Sequence, residues 1–230
     1  MSELSLPSAA WAWVAILLLS YACGSLSFAV LVSRVMGLQD PRTYGSMNPG
    51  ATNVLRTGHK GAAALTLLLD AFKGWLPVVL FKLWGTQALG WDIEGVSALL
   101  GLGDMPPHSL GVGLVGLAAF VGHLWPVFFR FQGGKGVATA AGVLVGYQPL
   151  LGLGTLLCWL LVARVWRFSS LAALLSALFA PLCYWCLSPL LWPAQADVLG
   201  CSVVMSVLLI VRHQANLTRL FRGQESRIGG

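Results

Sequence analysis

Charged residues are scarce in this chain. Asp, Glu, Lys and Arg together make up 10% of its 230 residues, whereas an ordinary soluble domain carries about 25%. So little charge excludes a soluble globular protein, and no segment reads as a soluble domain. Acidic residues are the scarcer sign, 8 against 14 Lys and Arg, for a formal net charge of +6. A basic surplus invites a nucleic-acid partner. Here, however, the cations are parcelled out between apolar runs, which argues for membrane topology and against nucleic acid. No Lys or Arg precedes the first apolar run. A secretory signal needs a positive leading region, so that run is expected to remain as a helix. Ser20-Tyr21-Ala22-Cys23 has the outline of a lipoprotein cleavage site, but Ser20 stands where an aliphatic residue belongs. The cysteines, Cys23, Cys158, Cys183, Cys186 and Cys201, all lie in apolar stretches. Cys183 and Cys186 have redox spacing but no polar or cationic neighbours to lower a thiol pKa. All five read as buried small hydrophobes. No zinc-ligand spacing is present, and neither a metal nor a cofactor is expected.

What the chain has in quantity is membrane-grade hydrophobicity: 57% hydrophobic residues, ten Trp and a mean hydropathy of +0.78. A spanning helix takes about 20 apolar residues. Clear runs occupy residues 10–31, 62–81, 112–129, 171–191 and 198–211. The apolar stretch 137–162 is interrupted at Gly146-Tyr147-Gln148-Pro149. Proline lacks an N–H and disfavours helix at the residue before it. A short helix (136–147), a turn and a second helix (150–163) are expected there. The fold class is therefore an all-α integral membrane protein of about seven transmembrane helices, one of them short, in a single domain spanning 1–230.

Lys and Arg orient it. Arg34, Arg42, Arg56, Lys60 and Lys73 follow the first run, Arg130 and Lys135 the third, Arg164 and Arg167 the fifth, and Arg212, Arg219, Arg222 and Arg227 the last. With seven helices all these clusters share one face. Lys82, Glu3, Asp92, Glu94, Asp104 and Asp197 fall on the other. Six helices would strand Arg164 and Arg167 outside. The N-terminus is expected outside and the C-terminus in the cytosol.

Two polar segments stand out against this background. Residues 45–56 read GSMNPGATNVLR, and residues 131–139 read FQGGKGVAT. Glycines free backbone N–H groups, and an N–H cradle plus one cation is what a phosphate requires. In the first segment Ser46, Asn48, Thr52 and Asn53 offer donors, and Arg56 can fork two bonds onto a phosphate. In the second, Lys135 sits at the positive end of the next helix. That segment shares Gly-Lys with nucleotide-binding loops, but Gly136 replaces their Ser or Thr and a membrane helix replaces their strand. Two such segments suggest two phosphates, or one gripped from two sides.

Other polar groups carry open readings. Asp70 and Lys73, at i, i+3 spacing, face each other, either as a structural anchor or with Lys73 reaching a substrate anion. His123 either supports the GGKG loop from behind or takes part in chemistry. Ser169 or Ser170 either caps the following helix or belongs to the site. His213, Asn216 and Arg219 share one helical face, as an interfacial tail would also do. A spacing such as Gly142-x-x-x-Gly146 more often serves packing within one bundle than association between chains.

GSMNPGATNVLR, the DAFKG at residues 70–74, GHLWPVFFRFQGGKGVAT, the RFSSL turn at 167–171 and the terminal HQANLTRL, in this order, resemble the bacterial acyl-phosphate-dependent glycerol-3-phosphate acyltransferases. The resemblance covers nearly the whole chain. It implies a seven-helix enzyme of the bacterial inner membrane with its site facing the cytosol. It implies acyl transfer from acyl phosphate to glycerol 3-phosphate, giving lysophosphatidate and phosphate early in phospholipid synthesis. By that resemblance Ser46, Lys135 and His213 are the catalytic positions. Ser46, Arg56 and Lys135 would hold glycerol 3-phosphate, with His213 and Asn216 closing the pocket. The backbone of Gly50, Ala51, Thr52 and Asn53, and of Gly133 and Gly134, would cradle the acyl phosphate, and Ser170 joins the binding set. The acyl chain would lie in a groove open to membrane lipid, and a soluble enzyme that makes acyl phosphate is an implied partner. Two features depart from the family: Met47 stands where Gly is usual, and residues 90–109 form an enlarged outer loop. No Ser-His-Asp set is visible and the His-x-x-x-x-Asp pattern of acyl-CoA-dependent enzymes is absent. The expectation is that a substrate phosphate oxygen, not a protein base, takes the hydroxyl proton. Two other classes share the basic pocket. A transporter of phosphorylated metabolites would place binding groups near the midplane and often carry internal repeats. A membrane scaffold would not need two phosphate-shaped loops.

Overall fold

The computed structural model describes residues 6–85 and 110–228; the loop expected at 90–109 lies outside them. The described residues form helices and no strands. These are α1 (Leu6–Gly24), α2 (Phe28–Val35), the single-turn α3 (Ala51–Leu55), α4 (Lys60–Leu80), α5 (Leu110–Leu124), α6 (Val137–Tyr147), α7 (Pro149–Trp166), α8 (Ser169–Leu187), α9 (Ala196–Arg212) and α10 (Gln214–Phe221). Four of them are long and apolar enough to cross a membrane, and six if each bent pair counts as one span. The apolar 11-residue α6 stands where the short helix is expected, apart from these four to six spans. The chain folds as an all-α integral membrane protein.

The breaks differ from expectation at both ends. The first run is not continuous to residue 31 but bends by 44° between α1 and α2. Ser25, at the break, donates both its N–H and its Oγ back to the Tyr21 carbonyl, each at 2.8 Å. At the other end the last run turns by 59° into α10. The α6–α7 break falls where proline puts it: Gln148 is extended, and Pro149 opens α7 at a position where no N–H is needed. Inside α4, Pro77 cannot donate to the Lys73 carbonyl. That carbonyl instead accepts the Cys23 thiol, 3.7 Å away.

Close helix approach positions the site. A side chain at Gly142 would collide with the Ala71 carbonyl, and one at Gly74 with the Thr139 carbonyl. The missing side chains let α4 and α6 touch backbone to backbone, as small residues do in membrane bundles. Gly142 and Gly146 thus pack within the bundle, Gly146 against Val78. The core runs through Val78, Val115, Phe120, Val143, Tyr147, Leu151 and Tyr184. Leucines and tryptophans such as Leu68, Leu157, Leu161 and Trp185 face outward, the pattern lipid requires. The cysteines follow suit: Cys201 is buried, Cys23, Cys158 and Cys183 are half-buried, and Cys186 is exposed. The expectation of five buried cysteines thus holds for Cys201 alone, because an apolar membrane helix has outward as well as inward faces.

Candidate active site

The first loop is built around one side chain. Asn53 Nδ2 donates to the Pro41 carbonyl at 2.7 Å and the Tyr44 carbonyl at 3.2 Å. Its Oδ1 accepts the Ser46 N–H at 3.1 Å and Arg56 Nη1 at 3.4 Å. Asn53 is buried, and both its donor hydrogens and its acceptor oxygen are engaged within the loop. It therefore shapes the loop that carries Ser46 and Arg56. Ala51 and Thr52 lie in the first turn of α3, where no preceding turn offers a carbonyl to their N–H groups. Met47 adopts a left-handed φ of 53°.

The second loop is held from outside. Arg130 and Phe131 are consecutive left-handed residues, at φ of 54° and 60°, which fold the chain back beneath α5. Side chains at Gly133 and Gly134 would strike the His123 carbonyl and the His123 ring respectively. Only glycines allow that approach. Gly134 N–H donates to the His123 carbonyl at 3.2 Å. Gly136, at φ 87°, turns the chain into α6. Lys135, just before it, extends Nζ to Asn216 Oδ1 at 2.5 Å. Burial drives the Lys135 pKa down to about 8, against the pull of Glu225 and together with the repulsion of Arg219, Arg212 and Arg56.

The third contribution comes from α8, α10 and the segment after it. His213, Asn216 and Arg219 all line one cavity, as their shared helical face predicts. His213 Nδ1 lies 2.8 Å from the Leu209 carbonyl. A carbonyl only accepts, so Nδ1 carries the hydrogen and Nε2 is left as the acceptor of the neutral ring. Ser170 does not cap α8. The N-cap is Phe168, and Ser170 Oγ instead donates to Glu225 Oε1 at 2.7 Å. Glu225 also accepts Asn216 Nδ2 at 2.6 Å and Arg219 Nε at 2.7 Å. Burial works to raise its pKa, but the hydrogen bonds from Ser170, Asn216 and Arg219 outweigh burial and hold the carboxyl below its ordinary value. Arg56 Nη2 reaches Ser226 Oγ at 3.0 Å, and Ile228 N–H donates to the Arg167 carbonyl at 2.7 Å. The end of the chain is thereby strapped across the site.

Behind these loops sits the buried polar cluster. Lys73 Nζ lies 2.7 Å from Asp70 Oδ1 and donates to the Leu26 carbonyl at 2.5 Å. It is 1% exposed and does not line the cavity, so the structural-anchor reading fits and the substrate-reaching one does not. His123 Nδ1 lies 3.7 Å from the same Asp70 oxygen. The His123 ring thus stands between Asp70 and Gly134, where it backs the GGKG loop, and both His123 and Asp70 also line the cavity described next.

The three contributions enclose a cavity of about 1030 Å³. Ser46, Gly50, Ala51, Thr52, Asn53, Arg56, Lys135, Ser170, His213 and Asn216 all line it. Gly133 and Gly134 do not; they lie behind the wall. One end is cationic. The other runs between α7, α8 and α9, past Leu156, Trp159, Ala177 and Met205. Along α8 it extends from Ser169 to Ala180, about 16 Å at the helical rise. Glu225 escapes a reading of the sequence, whereas a groove between helices is expected from the resemblance, though not which helices form it. The one signal for Glu225 is that it is the lone carboxylate after Asp197, among arginines.

A cationic mouth opening into an apolar shaft suits a substrate that is part anion and part hydrocarbon. Residues 14–223 match the family model for glycerol-3-phosphate acyltransferase. The chain belongs to the glycerol-3-phosphate acyltransferase family. A relative of that name from Albidiferax ferrireducens is 54% identical over 212 residues, covering 92% of this chain and 87% of its own. The fold is similar to crystal structures of PlsY (YgiH), an integral membrane glycerol 3-phosphate acyltransferase. Its glycerol 3-phosphate form matches with a TM-score of 0.77 at 33% identity, over 95% of this chain and 96% of that one. Its lysophosphatidic acid form matches with a TM-score of 0.76 at 32% identity. The family match ends at Gly223, two residues before the carboxylate that ties Ser170, Asn216 and Arg219 together.

Proposed function

We propose that this chain transfers the acyl group of an acyl phosphate to glycerol 3-phosphate, releasing 1-acyl-glycerol 3-phosphate and inorganic phosphate. The observation that carries this reading is one continuous cavity with Arg56 and Lys135 at its mouth and an apolar shaft between α7, α8 and α9. The glycerol hydroxyl oxygen attacks the acyl carbonyl carbon, and the bond from that carbon to the phosphate oxygen breaks. The hydroxyl proton passes to a phosphate oxygen of the substrates, and phosphate leaves. An acyl phosphate is a mixed anhydride with a good leaving group, so alignment and charge stabilisation suffice. Lys135 and Arg56 neutralise phosphate charge. Ser46 fixes a substrate oxygen, and the Ala51 and Thr52 N–H groups cradle the second phosphate. His213 and Asn216 close the pocket beside Lys135, and the acyl chain fills the shaft.

The site faces the cytosol in this reading, with the whole chain a single multi-pass domain of the bacterial inner membrane. Support comes from the cations after the first, third, fifth and last spans. Arg56, Lys135, Arg167 and Arg219 all gather at one end of the bundle, around the cavity or the strap across it. A soluble enzyme that produces acyl phosphate supplies the donor.

The test is product formation by the purified protein with glycerol 3-phosphate and either palmitoyl phosphate or palmitoyl-CoA, beside Lys135→Ala. Lysophosphatidate from acyl phosphate alone, lost in the variant, is the expected result. Product from palmitoyl-CoA alone would overturn the donor assignment. No product from either donor, with the protein folded, would overturn the acyltransferase reading.

A further inference from the structure

Arg212 ends α9. As an arginine at the end of a membrane helix it needs no explanation beyond topology, and such a side chain ordinarily reaches out to water or lipid headgroups. In the structure it turns inward. Nη2 donates to the Gly133 carbonyl at 2.9 Å and the Gly134 carbonyl at 3.1 Å, and Nε donates to the Gly134 carbonyl at 3.2 Å. The guanidinium carbon lies 6.0 Å from the centre of the Trp125 ring, which follows α5. Arg212 is half-buried and lies outside the cavity lining. It grips the back of the loop whose front, Lys135 and Gly136, lines the cavity.

We infer that Arg212 is the positioning residue that sets the GGKG loop for phosphate binding, by clamping two consecutive glycine carbonyls away from the substrate. This rests on the reading of the cavity as a phosphate site. The reasoning is geometric. A trans peptide points its C=O and N–H in opposite directions. Holding the Gly134 carbonyl on Arg212 therefore aims the Lys135 N–H away from Arg212. The Gly134 N–H is already bonded to the His123 carbonyl, so both peptide groups flanking Gly134 are fixed. Glycine has no side chain to resist rotation. Without an external clamp the Gly133-Gly134 pair would sample other orientations and carry Lys135 with it. A planar fork spans two adjacent carbonyls, whereas an ammonium is a point donor that serves one well. The clamp never touches substrate and acts through the loop alone.

The experiment is steady-state kinetics of the full chain in detergent, varying glycerol 3-phosphate and acyl phosphate separately. Arg212→Ala should raise the KM for glycerol 3-phosphate roughly tenfold or more, as expected for losing charge-assisted hydrogen bonds, with kcat within about threefold. Added guanidinium ion should restore most of the KM. Arg212→Lys, which keeps the charge but not the fork, should fall between the two, and it carries the test if the alanine variant does not fold. An unchanged KM, a loss confined to kcat, no response of a folded variant to guanidinium, or a lysine variant equal to wild type would each overturn the clamp. Calorimetric binding of glycerol 3-phosphate to wild type and Arg212→Ala separates this inference from the function it rests on. Tighter binding by wild type without turnover would sink the acyltransferase reading and keep the clamp. Equal binding would sink the clamp alone, and no binding to either protein would sink both.

Discussion

The two glycine-rich loops reach the same cavity by opposite means. The first organises itself: Asn53 ties residues 41, 44, 46 and 56 together from within. The second has no internal organiser and is held by its surroundings, by His123 from α5 and Arg212 from α9, while its lysine rests on Asn216 of α10. A self-organised loop survives changes elsewhere in the bundle. An externally held one reports on every helix that touches it. The bundle therefore couples to the chemistry mainly through the GGKG loop.

Breaking the support of the second loop should have the largest effect. Asp70→Asn leaves the Lys73 ammonium buried without its counter-charge, which costs about 3–5 kcal/mol when one partner of a buried pair is removed. Thermal unfolding in detergent should show a large drop in Tm. The double variant Asp70→Leu with Lys73→Met should recover much of it, since an apolar pair needs no compensation. A double variant as unstable as the single one would show that the charges do more than neutralise each other.

Asn53→Ala is the matching cut in the first loop. It orphans the carbonyls of Pro41 and Tyr44 and frees Ser46 and Arg56. Because misplacing a substrate-holding group by about 1 Å can cost about 100-fold, kcat/KM should fall by about that factor, while water reaching this part-exposed loop takes over the freed carbonyls. If the loop is self-organised, Tm should move far less than in Asp70→Asn. Equal damage to Tm from both variants would erase the distinction between the loops.

How far each loop can be read from sequence follows the same division. The first is legible as a polar site loop because its organiser lies within it: glycines, an arginine and a cluster of small polar residues fall in 12 positions, and they line the cavity. The all-helical membrane plan and its short helix are legible because apolar run length and the Pro149 break act locally. The second loop's cation is legible, but its clamp is not. Arg212 lies 78 positions from Gly134, and its role in topology already accounts for it. Glu225 is hidden for the same reason, since it meets Ser170 across 55 positions with no periodicity linking them. The bend between α1 and α2 falls inside one apolar run, which hydropathy does not divide.

A subtler probe of the second loop is pH. In the proposed function Lys135 binds phosphate as the ammonium, and its pKa is pushed down to about 8. Above that value the cation is lost, so kcat/KM for glycerol 3-phosphate should fall as pH rises through about 8 and hold below it. Lys135→Arg, if active, should lack this alkaline limb, because arginine keeps its proton. Glu225 pulls the Lys135 pKa upward. Removing its charge in Glu225→Gln should therefore move the limb to lower pH. A limb that stays in place would show that the carboxylate does not act on the lysine.

The smallest expected effect is in the first loop. Met47 holds a left-handed φ of 53° and its side chain is 69% exposed, so it contributes strain and little packing. A side chain in that conformation costs roughly 1–2 kcal/mol. Glycine removes the strain, but the unfolded chain gains freedom worth about 0.4–1 kcal/mol. Met47→Gly should therefore stabilise by somewhat under 1 kcal/mol, a rise of about 1–2 °C in Tm for a chain of this length, with kcat and both KM values within about twofold. Because Asn53 already fixes the loop around it, relieving one strained residue should not move Ser46 or Arg56. A KM for glycerol 3-phosphate that shifts several-fold would mean that Met47 sets the position of Ser46, and the first loop would then depend on more than its own asparagine.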